Sequence, residues 1–310
     1  RIMNTTLSVY FGSDRTYIAL LNTAREGIEV MHANVFPQAL KSEYDIQNLS
    51  QLIMKDLAPF HGMVQAVKFS IPIEKVYIYQ VPNADLSRKM EIRELLSAEI
   101  QAVEPGKSPD DFLIMLIPGN TSDDGSKHML AVLTDLSLLN MCKECLSGFK
   151  VPISFTQNSQ FAAHSACMTN YPEYAGKSIA IFGVQKHFID VSVLHAGELA
   201  FYSLYGIPEG EDFGSVCVKI LTSTLPTYLP DIPSPDLVLL YGEGLRKDLL
   251  DVLSQAVTNP TQRFNAFRSL LSSGSLAVSA MSLCNKAAHL FPPVIGSYLK
   301  PLQEKEITYL

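Results

Sequence analysis

Hydrophobic and polar positions divide the chain into short β-type runs and longer helix-type runs that follow one another from end to end. Residues 6–10, 17–21 and 27–33 are apolar and β-prone, separated by Gly12-Ser13-Asp14 and a second turn, which predicts a three-stranded meander. Over 46–60 the apolar side chains Ile46, Leu49, Leu52, Ile53 and Leu57 recur at helical spacing, and 67–71 is a short strand that Pro72 ends. Residues 76–81 alternate like another strand. Asn83-Ala84-Asp85 supplies caps for a helix over 89–103, which Glu104-Pro105-Gly106 stops. Two strands at 112–117 and 129–134, joined by a polar loop at 119–127, lead into a second amphipathic helix over 136–149.

The pattern then repeats. A strand at 151–155 and a helix at 158–169 precede a second meander at 178–182, 188–194 and 199–205. A strand at 237–241 enters Gly242-Glu243-Gly244, a helix covers 245–257, and Pro292-Pro293 opens a closing helix. Two divergent β-β-β-α units predict a two-lobed α/β chain. The first lobe is expected over 1–150, with a small α+β subdomain inserted at about 82–150, and the second over 151–310.

Composition narrows the function classes. The 310 residues are 47% hydrophobic and 18% charged, enough to bury a large core. A net charge of -7, with basic patches no denser than Arg88-Lys89 and Arg246-Lys247, argues against electrostatic binding of nucleic acid or anionic membrane. The odd set Cys142, Cys145, Cys167, Cys217 and Cys284 is no disulfide framework, so a reducing, cytoplasmic setting is expected. No apolar run reaches the roughly 18 residues of a membrane span, and the first residues lack the apolar core of a signal peptide. An Arg before the first Met suggests an expression scar or an excised fragment, so an anchor beyond Leu310 stays open.

Isolated chemical candidates resolve toward structural roles. Cys142 and Cys145 fall inside a helical pattern with no second Cys/His pair at ligand spacing, so they are expected in the core. Ser13 beside Asp14 has no His at a pairing distance in sequence. The acidic run 209–212 reads as an N-cap for a helix starting near Phe213 rather than a metal site. Tyr77, Tyr79, Tyr202 and Tyr205 fit either strand packing or a partner groove.

In the superfamily of actin, hexokinase and Hsp-type chaperones, each lobe opens with a hairpin whose turn binds phosphates through backbone N–H groups. An Asp just before the turn holds the metal or the attacking water. Residues 7–20 resemble that hairpin, with Tyr10 where the Asp belongs; 179–184 resemble it again, with Phe182 read at the Asp position. Residues 238–244 resemble the glycine loop that backs onto adenosine, with Glu243 replacing the middle glycine. Within 81–150, Val81-Pro82 followed by Leu86, the helix around Glu91 to Ile100, Asp110-Asp111-Phe112 and Gly148-Phe149-Lys150-Val151-Pro152 resemble the inserted subdomain of PilM and, more distantly, of FtsA.

The chain is thus similar to the PilM and GspL group of pilus and secretion platform proteins. That resemblance implies a two-lobed actin-like ATPase fold with relic nucleotide loops at Gly12, Ser13, Gly183, Gly242 and Gly244. With aromatic side chains read at both Asp positions, it implies no catalytic residue, no metal and no cofactor. The implied protein is a pseudo-ATPase scaffold, peripheral to the inner membrane on its cytoplasmic side, in a type IV pilus or type II secretion platform. Its implied partners are the cytoplasmic tail of a membrane component, held between the insert and the first lobe, the assembly ATPase, and a second copy of the chain. Two alternatives stay open: an ATP- and magnesium-binding actin-like ATPase using those loops, and the cytoplasmic domain of a membrane-anchored GspL-type protein.

Overall fold

The computed structural model describes residues 5–82, 85–121, 127–207 and 211–310. Strands β1 (Thr5–Phe11), β2 (Thr16–Ala24) and β3 (Gly27–Phe36) form the first antiparallel meander. Helix α1 (Glu43–Asp56) follows, its start fixed by Asp45, which accepts from the Ser42 N–H at 2.9 Å. Strand β4 (Ala66–Ile71) returns parallel to β1. The insert then contributes β5 (Val76–Val81), α2 (Lys89–Val103), β6 (Phe112–Thr121) and β7 (Lys127–Asp135). Helix α3 (Leu136–Leu146) packs back on α1 through Leu139 and Cys142, and β8 (Ile153–Asn158) lies parallel to β4.

Helix α4 (Ser159–Asn170) crosses to the second meander, β9 (Ser178–Val184), β10 (Phe188–His195) and β11 (Glu198–Gly206). Helix α5 (Phe213–Lys219) runs through a π-type turn at Ile220–Thr224 into α6 (Leu225–Tyr228), where Pro226 has no N–H to offer a regular turn. The remaining elements are β12 (Leu237–Tyr241), α7 (Lys247–Ala256), β13 (Thr261–Arg263), β14 (Leu271–Ser272), α8 (Val278–Lys286), α9 (Pro292–Tyr298) and β15 (Thr308–Tyr309). The described strands assemble into three sheets, ordered β14-β3-β2-β1-β4-β8, β11-β10-β9-β12-β13 and β15-β6-β7-β5.

Three sequence expectations shift. The lobe boundary drawn at residue 150 does not follow the sheets, because α3 returns the chain to the free side of β4 and β8 joins the first sheet. Beyond the second meander the chain also goes back, adding β14 to β3 and β15 to β6. The cap expected from residues 83–85 falls partly outside the described residues; Asp85 instead accepts from the Ser87 N–H at 3.0 Å, and α2 starts after Arg88.

Alternation assigns each strand face. Leu7, Val9 and Phe11 meet α1 and α3 in the first lobe's outer core, whereas Tyr10 faces a central core shared by both lobes and the insert. In the second lobe Ala180, Phe182 and Val184 meet α5 and α7, and Ile179 and Ile181 face the centre. Helix α9 occupies that centre. Its carbonyls accept from Ser8 Oγ (Val294 O, 2.5 Å), Ser70 Oγ (Pro293 O, 3.2 Å) and Thr156 Oγ1 (Ser297 O, 3.1 Å) on three strands of the first sheet, and the last of these lies in the final turn, where a helix has no internal donor.

On its other side α9 touches α4 at backbone distance: a Cβ at Gly296 would lie 1.7 Å from the Ala162 carbonyl oxygen. Gly296→Ala is therefore expected to force the two helices apart and lower stability by about 3 kcal/mol or more. A melting temperature within about 2 °C of wild type, followed by circular dichroism, would show that the crossing is not tight.

Candidate functional site

The three turns singled out in the sequence meet between the lobes. Gly12 follows β1, the β9–β10 turn spans 185–187, and Gly242-Glu243-Gly244 leaves β12. Their residues do not play the parts first read from the pattern. Tyr10 stands two residues before Gly12, and the residue two before Gly183 is Ile181. Phe182 is one residue later, so the two-residue period of a strand turns it to the far face, fully buried in the second lobe's own core. Tyr10 and Ile181, not Tyr10 and Phe182, are the matched pair on the central face.

The backbone donors at Gly183, Gly242 and Gly244 are already taken. Gly183 lies within β9, paired with Asp190 of β10 and Tyr241 of β12. The Gly242 N–H donates to the His289 carbonyl at 3.0 Å, and the Gly244 N–H to the Val184 carbonyl at 2.9 Å. These contacts require glycine: Gly242 has φ +111°, and a Cβ there would be 2.4 Å from the Val184 oxygen. The glycine loop thus sits directly on the β9–β10 turn. Gly12 and Ser13 alone keep an open side, on a cavity of about 320 Å³ lined also by Leu40, Lys41, Lys75 and Leu138.

Aromatic rings fill the space between the turns. Tyr10 stacks on Tyr17 with centroids 5.7 Å apart, and Phe291, delivered by the approach to α9, meets Tyr17 edge-on at 5.8 Å. The Tyr17 hydroxyl donates to Glu243 Oε1 at 2.5 Å, which joins a strand of the first lobe to the glycine loop of the second. Burial, with Glu243 alongside, pushes the Tyr17 phenol well above its ordinary range. Glu243 thus binds an internal hydroxyl where the resemblance placed a nucleotide loop.

Below this layer lies a polar set that pattern reading missed. Tyr241 donates to Gln160 Oε1 at 2.6 Å, Gln160 Nε2 donates to Ser192 Oγ at 2.9 Å, and His164 Nε2 is 2.7 Å from the same hydroxyl. Burial lowers the His164 pKa to about 3, so the ring is neutral. Asp190 is fully buried and neither carboxyl oxygen has a hydrogen-bond partner. Its Oδ1 lies 2.1 Å from where a Gly183 Cβ would stand, so the glycine makes room for the carboxyl. Burial raises the Asp190 pKa well above the carboxylate range, with Glu74 adding to the effect. The available signal was parity: Asp190 and Ser192 share the inward face of a strand whose other face is Ile189, Val191 and Val193.

The other candidates settle into packing. Cys142 and Cys145 are buried in the first lobe's core, and burial pushes the Cys145 thiol up to about 12. Asp212 caps α5, accepting from the Ser215 N–H at 2.9 Å; Glu209 and Gly210 lie outside the described residues. Tyr77 donates to Glu104 and packs edge-on against Phe112 inside the insert, and Tyr202 lies against Phe161. Among the described residues no group of three or more His, Cys, Asp or Glu is placed to hold a metal ion, and no helix is long and apolar enough to cross a membrane.

Two lobes with repeated meanders, helices crossing between them and an inserted subdomain after β4 define an actin-like fold. The particular likenesses are to solved structures. A PilM-PilN type IV pilus biogenesis complex contains a chain that superimposes with a TM-score of 0.70 at 13% identity, over 94% of this chain and 97% of that one. A Bacteroides thetaiotaomicron protein of actin-like ATPase fold gives 0.51 at 12% identity, over 91% and 96%. The cytoplasmic domain of EpsL, an inner membrane component of the Vibrio cholerae type II secretion system, gives 0.50 at 12% identity, over 92% and 94%. No protein-family model and no curated protein matches the chain.

Asp190 makes a pH prediction. In the unfolded chain the carboxyl ionises near about 3.9, whereas in the folded protein it stays protonated, so its contribution to stability is full at low pH and is lost as pH rises toward the folded-state pKa. Asp190→Asn keeps the shape and removes that loss. The variant is expected to melt together with wild type near about pH 4 and several degrees higher near about pH 8; identical pH profiles would mean that Asp190 is not held protonated.

Proposed function

We propose that this chain is a non-catalytic scaffold on the cytoplasmic face of an inner-membrane pilus or secretion platform, where it holds the cytoplasmic tail of a membrane component. One observation carries the reading: the space between the relic turns is occupied by the chain's own Tyr10, Tyr17 and Phe291, while the Gly242 and Gly244 N–H groups are bound to internal carbonyls. Phosphate binding depends on free backbone donors, and phosphoryl transfer depends on metal-holding acids. Rings and satisfied amides provide neither.

Support for the tail-binding role comes from the likeness to a PilM chain solved together with PilN. The tail's seat is the cavity of about 320 Å³ where the first lobe meets the root of the insert. Phe11, Leu40, Ile71 and Leu138 give it an apolar lining, with Lys41, Lys75 and Glu74 at its sides. An extended tail with apolar side chains fits those walls. The assembly ATPase is a further partner on this reading, and the setting is cytoplasmic, peripheral to the inner membrane.

Two measurements test the proposal. Calorimetric titration of the chain with ATP and magnesium is expected to give no binding heat, and Tyr10→Asp with Ile181→Asp is expected not to create binding, because the glycine-loop donors stay occupied; micromolar binding by the natural chain would overturn the non-catalytic reading. Phe182→Asp, by contrast, would put an unpaired carboxylate in the second lobe's core and cost several kcal/mol of stability.

For the partner, a labelled peptide of the cytoplasmic tail of a PilN-like protein from the same genome is expected to bind. Lys75→Glu or Leu138→Arg should weaken it by about tenfold or more. Binding that ignores both substitutions would move the seat elsewhere.

A further inference from the structure

A second groove lies on another wall of the insert, between its sheet and the second lobe. It encloses about 710 Å³, and an adjoining cavity of about 240 Å³ shares Gln80, Leu130, Tyr202 and Ser203 with it. Along one side runs β11, the last strand of its sheet. The Ile207 N–H donates to the His187 carbonyl at 3.0 Å, and the register pairs Gly206 with Phe188, Leu204 with Asp190 and Tyr202 with Ser192. Hydrogen-bonded and non-bonded pairs alternate along an antiparallel ladder. Tyr202, Leu204 and Gly206 therefore turn their N–H and C=O groups away from β10 and into the groove.

Protein edges of this kind are ordinarily blunted by Lys, Pro or covering segments. Residues 202–206 read Tyr-Ser-Leu-Tyr-Gly, with neither a charge nor a proline, and Leu204 is 49% exposed. The groove has two walls: Gln80 and Leu130 of the insert, and Val216, Ile220 and Tyr228 of the second lobe. His128, Glu211 and Lys219 also line it.

We propose that the β11 edge docks an extended segment of a partner protein, apolar at alternate positions, which adds to the sheet as a further strand. At about 3.3 Å per residue the open edge takes about five residues, held by backbone hydrogen bonds, with alternate side chains meeting Leu130 and Gln80 on one face and Ile220 and Tyr228 on the other. Apolar or aromatic residues fit both faces. A single strand enters between the two walls, whereas the edge of a second copy would carry its own insert and helices into them. The site is separate from the tail seat at Lys41 and Lys75 and stands or falls independently of it.

The test selects linear heptapeptides from a phage-displayed library on the full chain, then measures the synthesised winners by fluorescence anisotropy. Leu204→Pro removes one outward donor at a position where an edge strand tolerates proline, and Thr224→Arg fills the groove without touching the edge; retained circular dichroism and melting temperature confirm that each variant folds. Expected are peptides with alternating apolar residues whose affinity falls at least about tenfold for either variant, and equally when alternate peptide nitrogens are methylated. Failure to enrich any peptide, or winners that bind wild type and both variants alike, would overturn the proposal. So would a dimer in solution that Leu204→Pro converts to monomer, which would assign the edge to a second copy.

Discussion

The arrangement depends on one helix crossing. Helix α9 comes from the end of the chain and lies between α4 and the first sheet, and Gly296 lets it approach the Ala162 carbonyl more closely than any side chain would allow. Its two opening prolines need no hydrogen-bond acceptors, and its carbonyls are tied to the first sheet by Ser8, Ser70 and Thr156. The crossing fixes the lobes against each other and places Phe291 against Tyr17.

Closure of the cleft follows from that placement. Once Phe291 and Tyr10 flank Tyr17, the phenol meets Glu243, and the glycine loop that carries Glu243 settles on the β9–β10 turn. Each contact supports the next, since the loop's N–H groups find carbonyl partners only when the turn is in place. Asp190 sits beneath this stack with no partner for its carboxyl. A buried carboxyl in such a site is tolerated because it stays neutral, and neutrality costs far less than burying the ion.

Much of the fold was legible from periodicity, because β1 to β4, α2 and β12 each carry a long or strictly alternating pattern. The short late strands were not, since β13, β14 and β15 span two or three residues and exist only through pairing with β12, β3 and β6. The place of β8 was also hidden: its own sequence does not say whether the crossover from α3 returns to the first sheet or begins the second. At the site, counting strands was enough to find the turns, but assigning faces needed the register. Phe182 was read one residue off, and Asp190 was passed over because a single acid in an apolar strand looks like an outward position until its neighbours Ile189 and Val191 are seen to occupy the other face.

On the proposed reading, a fold whose cleft is filled by its own side chains acts through its rim. Aromatic packing and the bound Gly242 and Gly244 amides hold the lobes together there. Among the described residues, two cavities border the insert: the largely apolar seat at its root and the groove along β11 at its side. Both expose features suited to polypeptide rather than to a small anion, the first through apolar walls, the second through backbone groups that only another backbone satisfies in series. The insert has a core of its own besides those of the lobes, built by α2 against Phe112, Ile114 and Leu133.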